Sequence, residues 1–192
     1  KRNKVFQFIQ VQGIHYIQFI PCLDDLEVTE VNHNALTPKA FAAFYKELLA
    51  YWLKELRKGH YISIKLFDDI LNLLVKKQVT ACGMLGNCQI QYVIEADGSV
   101  YPCDFYVLDA YRMGYIQDET LRELFSKEIS KQFLCERTTL PSTCDDCPFL
   151  NMCRGGCKRM KDAVYVDEAG FCGYASLLHE FIPRIEEILA LV

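Results

Sequence analysis

No run of apolar residues in this chain approaches the roughly 18 that a membrane-spanning helix needs. The opening residues, Lys1-Arg2-Asn3-Lys4, lead only into a short, interrupted apolar stretch, so no secretory leader and no membrane anchor are expected. Excess positive charge is also missing. The formal net charge is −4 and the isoelectric point lies near 5.6, which argues against a general nucleic-acid or membrane-surface binder. Histidine is scarce. His15, His33, His60 and His179 are scattered and none lies inside the cysteine-rich part, so they read as surface or core residues, not ligands. There is no glycine-rich phosphate loop and no Gly-x-Ser-x-Gly elbow, and nothing suggests a nucleophilic triad. An initiating Met is absent as well, from which the chain is expected to be a fragment, with part of an active site elsewhere.

What is present is an ordinary globular balance of 51% hydrophobic and 24% charged residues over 192 positions. That length holds one domain, or one small domain plus a fragment of another. Such a chain builds a core without staples, so its ten cysteines need another explanation. Cysteine makes up about 5% of the chain, below the roughly 8–10% of disulfide scaffolds. With no secretion signal, five disulfides are the least favoured reading, and metal binding in a reducing cytosol is expected.

Eight of the ten cysteines carry the pattern. Cys82, Cys88 and Cys103 come first; Cys144-x2-Cys147-x5-Cys153-x3-Cys157 and then Cys172 follow. Eight thiolates are two full sets of four, and one tetrahedral zinc or one 4Fe–4S cluster takes four. Short spacings let thiolates converge without regular secondary structure. Gly155 and Gly156 permit a backbone turn around a metal centre, and Arg154, Lys158 and Arg159 put positive charge beside it. The spacing favours iron–sulfur over zinc, whose sites prefer Cys-x2-4-Cys pairs separated by a longer span.

The remaining sequence predicts a mixture of helices and short strands. Val5 to Gln12 reads as a short helix closed by Gly13, and His15 to Ile20 as a strand ended by Pro21. Residues 23–36 read as loop. Thr37-Pro38 is a helix start, with Phe41, Phe44, Tyr45, Leu48, Leu49, Trp52, Leu53 and Leu56 at helical spacing and Gly59 at the end. Tyr61 to Lys65 predicts a strand. Leu66 to Lys77 predicts a helix with Leu71, Leu74 and Val75 inward. Gln89 to Ile94 alternates like a strand, Asp97-Gly98 is a hairpin signal, and Ser99 to Tyr101 returns. Leu121, Leu124 and Phe125 mark a short helix. Tyr174 to Leu191 reads as one closing helix with Leu177, Leu178, Phe181, Ile185, Ile188 and Leu189 inward. Composition shifts near residues 60–80, the best domain boundary.

Cys88-x9-Gly98-x4-Cys103, the dense cysteine group and Cys172 together resemble the seven-cysteine signature of SPASM domains, with Cys82 as an eighth ligand. These are C-terminal extensions of radical S-adenosylmethionine enzymes that modify peptides. The stretches Tyr101-Pro102-Cys103-Asp104-Phe105-Tyr106-Val107-Leu108-Asp109 and Gln18-Phe19-Ile20-Pro21-Cys22-Leu23-Asp24 are similar to the anaerobic sulfatase-maturating enzymes. Those enzymes oxidise a sulfatase cysteine or serine, in a Cys/Ser-x-Pro-x-Arg motif, to Cα-formylglycine.

The resemblance implies an α/β to α+β chain. Residues 1–61 would be the tail of a partial, TIM-like β/α barrel, and residues 62–192 an auxiliary-cluster domain with a β-hairpin and short helices. It implies that Cys82, Cys88, Cys103 and Cys157 hold one 4Fe–4S cluster and Cys144, Cys147, Cys153 and Cys172 a second; spacing by itself leaves Cys157 and Cys172 interchangeable. It implies that Asp104 is the base acting on the substrate's thiol or hydroxyl, tuned by its neighbouring cluster. Cys22 and Cys135 are left over. The cofactor-cleaving Cys-x3-Cys-x2-Cys triplet does not occur here, so S-adenosylmethionine and a third 4Fe–4S cluster are expected in a missing N-terminal part, and this chain by itself is not expected to generate a radical. Expected partners are a sulfatase polypeptide and a flavodoxin or ferredoxin, with neither nucleic acid nor membrane. The competing readings are another SPASM peptide maturase forming thioether or carbon–carbon crosslinks, a zinc-binding interaction module, and a ferredoxin-like electron carrier.

Overall fold

A computed structural model describes residues 2–27, 34–136 and 139–192; His33 and the middle of the 23–36 loop lie outside them. Helix α1 (Arg2–Val11) ends at Gly13, whose φ of +59° closes it without the clash a side chain would bring. Strand β1 (Tyr16–Ile17) pairs in parallel with β2 (Ser63–Ile64), and the 19-residue helix α2 (Pro38–Leu56) lies between them in sequence. The strand expected over His15 to Ile20 is thus two residues long, because its partner among the described residues offers only two.

Helix α2 starts where its residues dictate. The Thr37 hydroxyl accepts the Ala40 N–H at 3.3 Å, and Pro38 takes a position where no N–H is needed. The apolar stripe of α2 faces the core, with Leu48 and Trp52 fully buried. The Trp52 indole donates to the Ile62 carbonyl at 2.7 Å, which ties the end of α2 to the approach of β2.

Helix α3 (Lys65–Leu71) passes into a π-turn over Asn72–Lys76 that stops at Lys77, in the left-handed region at φ 55°. That shift changes the face presented. Phe67 and Ile70 are fully buried, Leu71 and Leu74 partly so, and Val75, expected inward, is exposed. Asp69 is buried on the same helix. Its carboxylate receives the Lys65 ammonium and, at 2.6 Å, the Thr80 hydroxyl, so it anchors the segment entering Cys82.

The middle of the chain carries an antiparallel sheet in the order β3 (Val93–Ile94), β4 (Ser99–Tyr101), β5 (Gly114–Tyr115). The Asp97-Gly98 hairpin forms, with Gly98 at φ +84°. Tyr92 at φ 51° keeps the residues before it out of β3, which shortens the strand expected over Gln89 to Ile94. Sequence reading did not anticipate β5. Helix α4 (Leu121–Ser126) opens with a capping box between Thr120 and Glu123; of its apolar residues Leu124 is fully buried while Leu121 and Phe125 are exposed. Helix α5 (Glu128–Cys135), also unanticipated, follows at once and buries Phe133.

Two short helices, α6 (Leu150–Cys153) and α7 (Lys161–Val164), lie within the dense cysteine region. The closing helix is broken in two: α8 (Gly173–Phe181) and α9 (Ile185–Leu191) flank a 3-10 turn over Ile182–Arg184. Pro183 is the cause, since it has no N–H to donate back along the helix. Ile188 faces inward and Leu189, expected inward, is exposed. Helix α8 packs back on α2, where Phe181, Trp52 and Phe67 form one aromatic group with centroids 5.1 to 6.4 Å apart. A single apolar core therefore joins residues 6–70 with residues 163–188, while Val100, Met113 and Leu124 form a satellite core under the hairpin.

Candidate metal centres

The first cysteine group is assembled from three remote segments. Cys103 follows β4 and is buried; its thiol donates to the Asp104 carboxylate at 3.3 Å. Cys82 is followed by Gly83, at φ +80°, whose Cα lies so close to Cys157 that an added Cβ would sit 2.7 Å from the Cys157 Cβ. Gly86 likewise abuts the Arg154 backbone. The loop carrying Cys82 and Cys88 therefore lies directly on the loop carrying Cys157. Cys82 and Cys157 both act electrostatically on Cys88, and Cys157 also acts on Cys103.

The second group is more local. Cys144 ends a 3-10 turn, and the Cys147 N–H returns to the Cys144 carbonyl at 3.2 Å, forming a tight knuckle. Cys153 ends α6. Arg154, Gly155 and Gly156 then all take positive φ, 46°, 84° and 67°, and the chain doubles back so that the Gly156 N–H meets the Cys153 carbonyl at 2.8 Å. Cys172 is the N-cap of α8, and its sulfur accepts the Ala175 N–H at 3.4 Å. It is held there by the close approach of Gly173 to the carbonyls of Pro38 and Val164, which brings the start of α8 onto the start of α2. Cys147 and Cys172 act on Cys144 and Cys153, and Cys147 on Cys172. All four line one cavity of about 430 Å³, together with Tyr165, Tyr174 and, at its rim, His179.

Cys144, Cys147, Cys153 and Cys172 thus share one cavity, and the loop of Cys82 and Cys88 packs on that of Cys157. Among the described residues, no three Cys, His, Asp or Glu side chains close on a point as the shell of a single ion would require. Burial pushes the thiols of Cys88, Cys144, Cys153 and Cys172 above their ordinary range and that of Cys103 to about 12. Backbone N–H groups oppose this at three sulfurs: Phe105 at Cys103, Gly155 at Cys153, and Ala175 and Tyr174 at Cys172. Donors aimed at sulfur favour the ionised, metal-binding form. Four thiols around a desolvated cavity, with N–H donors already aimed at sulfur, fit a cluster that needs thiolate ligands and little water.

Asp104 is exposed, fixed by its position after Cys103 at the start of a 3-10 turn. Cys22 and Cys135 are exposed and belong to neither group. His15 and His60 are exposed and distant from both groups in sequence, and His60 pairs with Glu55. Sequence reading missed Tyr165. Its phenol ring crowds Gly156, the Cys157 backbone hydrogen-bonds to it, and burial raises its pKa well above the usual range. No local pattern marks such a residue; its role arises from where two loops meet.

Residues 82–148 match the SPASM family, described as an iron–sulfur cluster-binding domain. The chain is 40% identical over 161 residues to a cysteine-type anaerobic sulfatase-maturating enzyme of Clostridium novyi, covering 83% of this chain and 43% of that protein. It is 38% identical over 188 residues to the cysteine-type enzyme of Clostridium perfringens strain 13, covering 95% and 51%. A serine-type enzyme of Bacteroides thetaiotaomicron is 29% identical over 170 residues, covering 80% and 41%. Among solved structures, native anSMEcpe with bound AdoMet superposes with a TM-score of 0.85 at 34% identity, covering 99% of this chain and 53% of that one. The form that also holds the Cp18Cys peptide gives the same score and identity. The chain spans about half the length of the relatives it matches.

Proposed function

From its kinship with the anaerobic sulfatase-maturating enzymes, to whose C-terminal portion it corresponds, we propose that this chain is the auxiliary-cluster part of a radical S-adenosylmethionine enzyme that oxidises a sulfatase cysteine or serine to Cα-formylglycine. The observation that carries the reading is the cavity shared by Cys144, Cys147, Cys153 and Cys172, together with the packing of the Cys82 and Cys88 loop on that of Cys157. Cys82, Cys88, Cys103 and Cys157 would hold one 4Fe–4S cluster, and Cys144, Cys147, Cys153 and Cys172 the other. When bound, such clusters supply one-electron transfer. Residues 1–61 are assigned to the tail of a partial β/α barrel, supported by the parallel pairing of β1 and β2 on either side of α2. Residues 62–192 are assigned to the cluster domain. S-adenosylmethionine and its own cluster are assigned to a part of the enzyme outside this chain.

The chemistry assigns a task to Asp104. Taking a cysteine or serine Cβ to the aldehyde level removes two electrons and two protons, and one of those protons leaves the thiol or hydroxyl. A carboxylate that is exposed, yet fixed beside Cys103, has the access and the rigidity to accept it. The cysteine-type relatives are more similar than the serine-type one, which favours cysteine as the residue oxidised. A sulfatase segment with Cys-x-Pro-x-Arg is the proposed substrate, a flavodoxin or ferredoxin the proposed electron partner, and a reducing cytoplasm the proposed compartment.

The test is iron, acid-labile sulfide and zinc per chain after anaerobic reconstitution, then turnover of a Cys-x-Pro-x-Arg peptide by the full-length enzyme. About eight irons and eight sulfides for this portion, with formylglycine as product, are expected. Two zincs without sulfide would leave a structural zinc module instead, and clusters without formylglycine would point to another peptide maturase.

A further inference from the structure

Three cations lie next to the cysteines, and the structure separates them. Arg154 is exposed to solvent. The Arg159 guanidinium donates to the Asp24 carbonyl and keeps its charge, and its Nε is buried without a hydrogen-bond partner among the described residues. Lys158 is different: its side chain is only 6% exposed. Its ammonium donates to the Phe133 carbonyl at 3.0 Å and to the Glu136 carboxylate at 2.5 Å. It also lies 3.8 Å from the centroid of the Phe133 ring and 5.1 Å from that of Tyr106. Four contacts hold it in one place. It follows Cys157 directly and shares a cavity wall with Cys88.

We propose that Lys158 is an electrostatic positioning residue for the first cysteine group: its buried ammonium raises the reduction potential of the iron–sulfur cluster held by Cys82, Cys88, Cys103 and Cys157. The inference rests on the cluster reading above. Reduction adds one negative charge to a centre that four thiolates already make anionic, so a fixed cation stabilises the reduced form more than the oxidised one. Burial strengthens the effect, because the same charge acts through less water. Arg154, facing solvent, is screened. Glu136 opposes Lys158, but its side chain is 51% exposed, so water weakens the carboxylate's field more than the ammonium's. At Cys88 the ammonium outweighs the carboxylate, while at Cys103 the neighbouring Asp104 acts in the opposite sense. The cavity lined by the four cysteines of the second group does not include Lys158, so the ammonium is expected to bias one cluster relative to the other.

The experiment uses the full-length protein reconstituted without oxygen, with iron and sulfide counted first and midpoint potentials then measured by redox titration monitored by electron paramagnetic resonance. Lys158→Met keeps the length and removes the charge; Lys158→Arg keeps the charge; Glu136→Gln removes the opposing charge. One midpoint is expected to fall in Lys158→Met, to return towards wild type in Lys158→Arg and to rise in Glu136→Gln, while the other midpoint stays. A merely structural lysine would not give opposite shifts for the two partners of one ion pair. Loaded protein with both midpoints unmoved in Lys158→Met and Glu136→Gln overturns the proposal. Where Lys158→Met does not load, the absence of an upward shift in Glu136→Gln overturns it instead. Wild-type protein without iron and sulfide overturns the cluster reading itself, and is seen before any potential is measured.

Discussion

Replacing Gly83 by alanine should damage the first cysteine group specifically. Gly83 sits at φ +80°, and its added Cβ would lie 2.7 Å from the Cys157 Cβ, 3.1 Å from its Cα and 3.2 Å from its nitrogen. Two costs combine. Holding a non-glycine residue in the left-handed region costs roughly 1–2 kcal/mol. Forcing one methyl into a packed contact costs about 1–3 kcal/mol, and here the obstacle is the Cys157 Cβ with its backbone behind it, none of which can rotate away. The total is about 2–5 kcal/mol. It acts at the contact that brings Cys82 to Cys157, so the two loops must separate. Gly155→Ala is the control: its φ is +84°, but its Cβ meets only the end of the Leu140 side chain, so roughly 1–2 kcal/mol of backbone strain is expected. The assay is the urea midpoint together with iron retained after reconstitution. With a slope of about 2–3 kcal/mol per molar, Gly83→Ala should lower the midpoint by roughly 1 M or more and lose about half the iron. Gly155→Ala should keep its iron. A Gly83→Ala protein with full iron and a wild-type midpoint would refute the reasoning that this contact joins the loops.

Phe181→Ala removes a fully buried ring packed on Trp52 and Phe67; a loss of about 3–5 kcal/mol is expected in denaturant unfolding, and a loss under 1 kcal/mol would mean that α8 does not seal the core. Thr37→Ala deletes the hydroxyl that accepts the Ala40 N–H; thermal melts should report about 1 kcal/mol of destabilisation, with Thr37→Ser nearly neutral. Glu55 has its carboxyl held below the usual range by hydrogen bonds from Lys58 and His60 against the cost of burial. A group with a lowered folded pKa stabilises fully above its unfolded value, near 4.5, and loses that contribution as pH falls through the folded value. The melting-temperature gap between wild type and Glu55→Gln should therefore be full at neutral pH and shrink below about pH 4.5; a gap that widens on acidification would contradict this sign.

Local chemistry was legible in the residues themselves. Thr37-Pro38 starts α2 because a hydroxyl acceptor and a missing N–H answer the needs of any helix N-terminus. Asp97-Gly98 makes the hairpin because a positive φ is required there. The cysteine spacing pointed to an iron–sulfur domain, which the family match over residues 82–148 supports, since the requirement for thiolates belongs to the metal chemistry and not to the fold. Other features depend on partners remote in sequence. Spacing alone left Cys157 and Cys172 interchangeable, and the contact of Gly83 with Cys157 exists only because two loops pack on each other. The length of β1 was set by β2, the exposure of Val75 by a π-turn, and the fate of the closing helix by Pro183 and by the aromatic group on α2. Lys158 read as one of three similar cations, and only its enclosure by Phe133, Tyr106 and Glu136 distinguishes it. Short-range preferences are written residue by residue as dihedral and hydrogen-bond demands, whereas burial is a property of the whole core and takes its value only when distant segments have met.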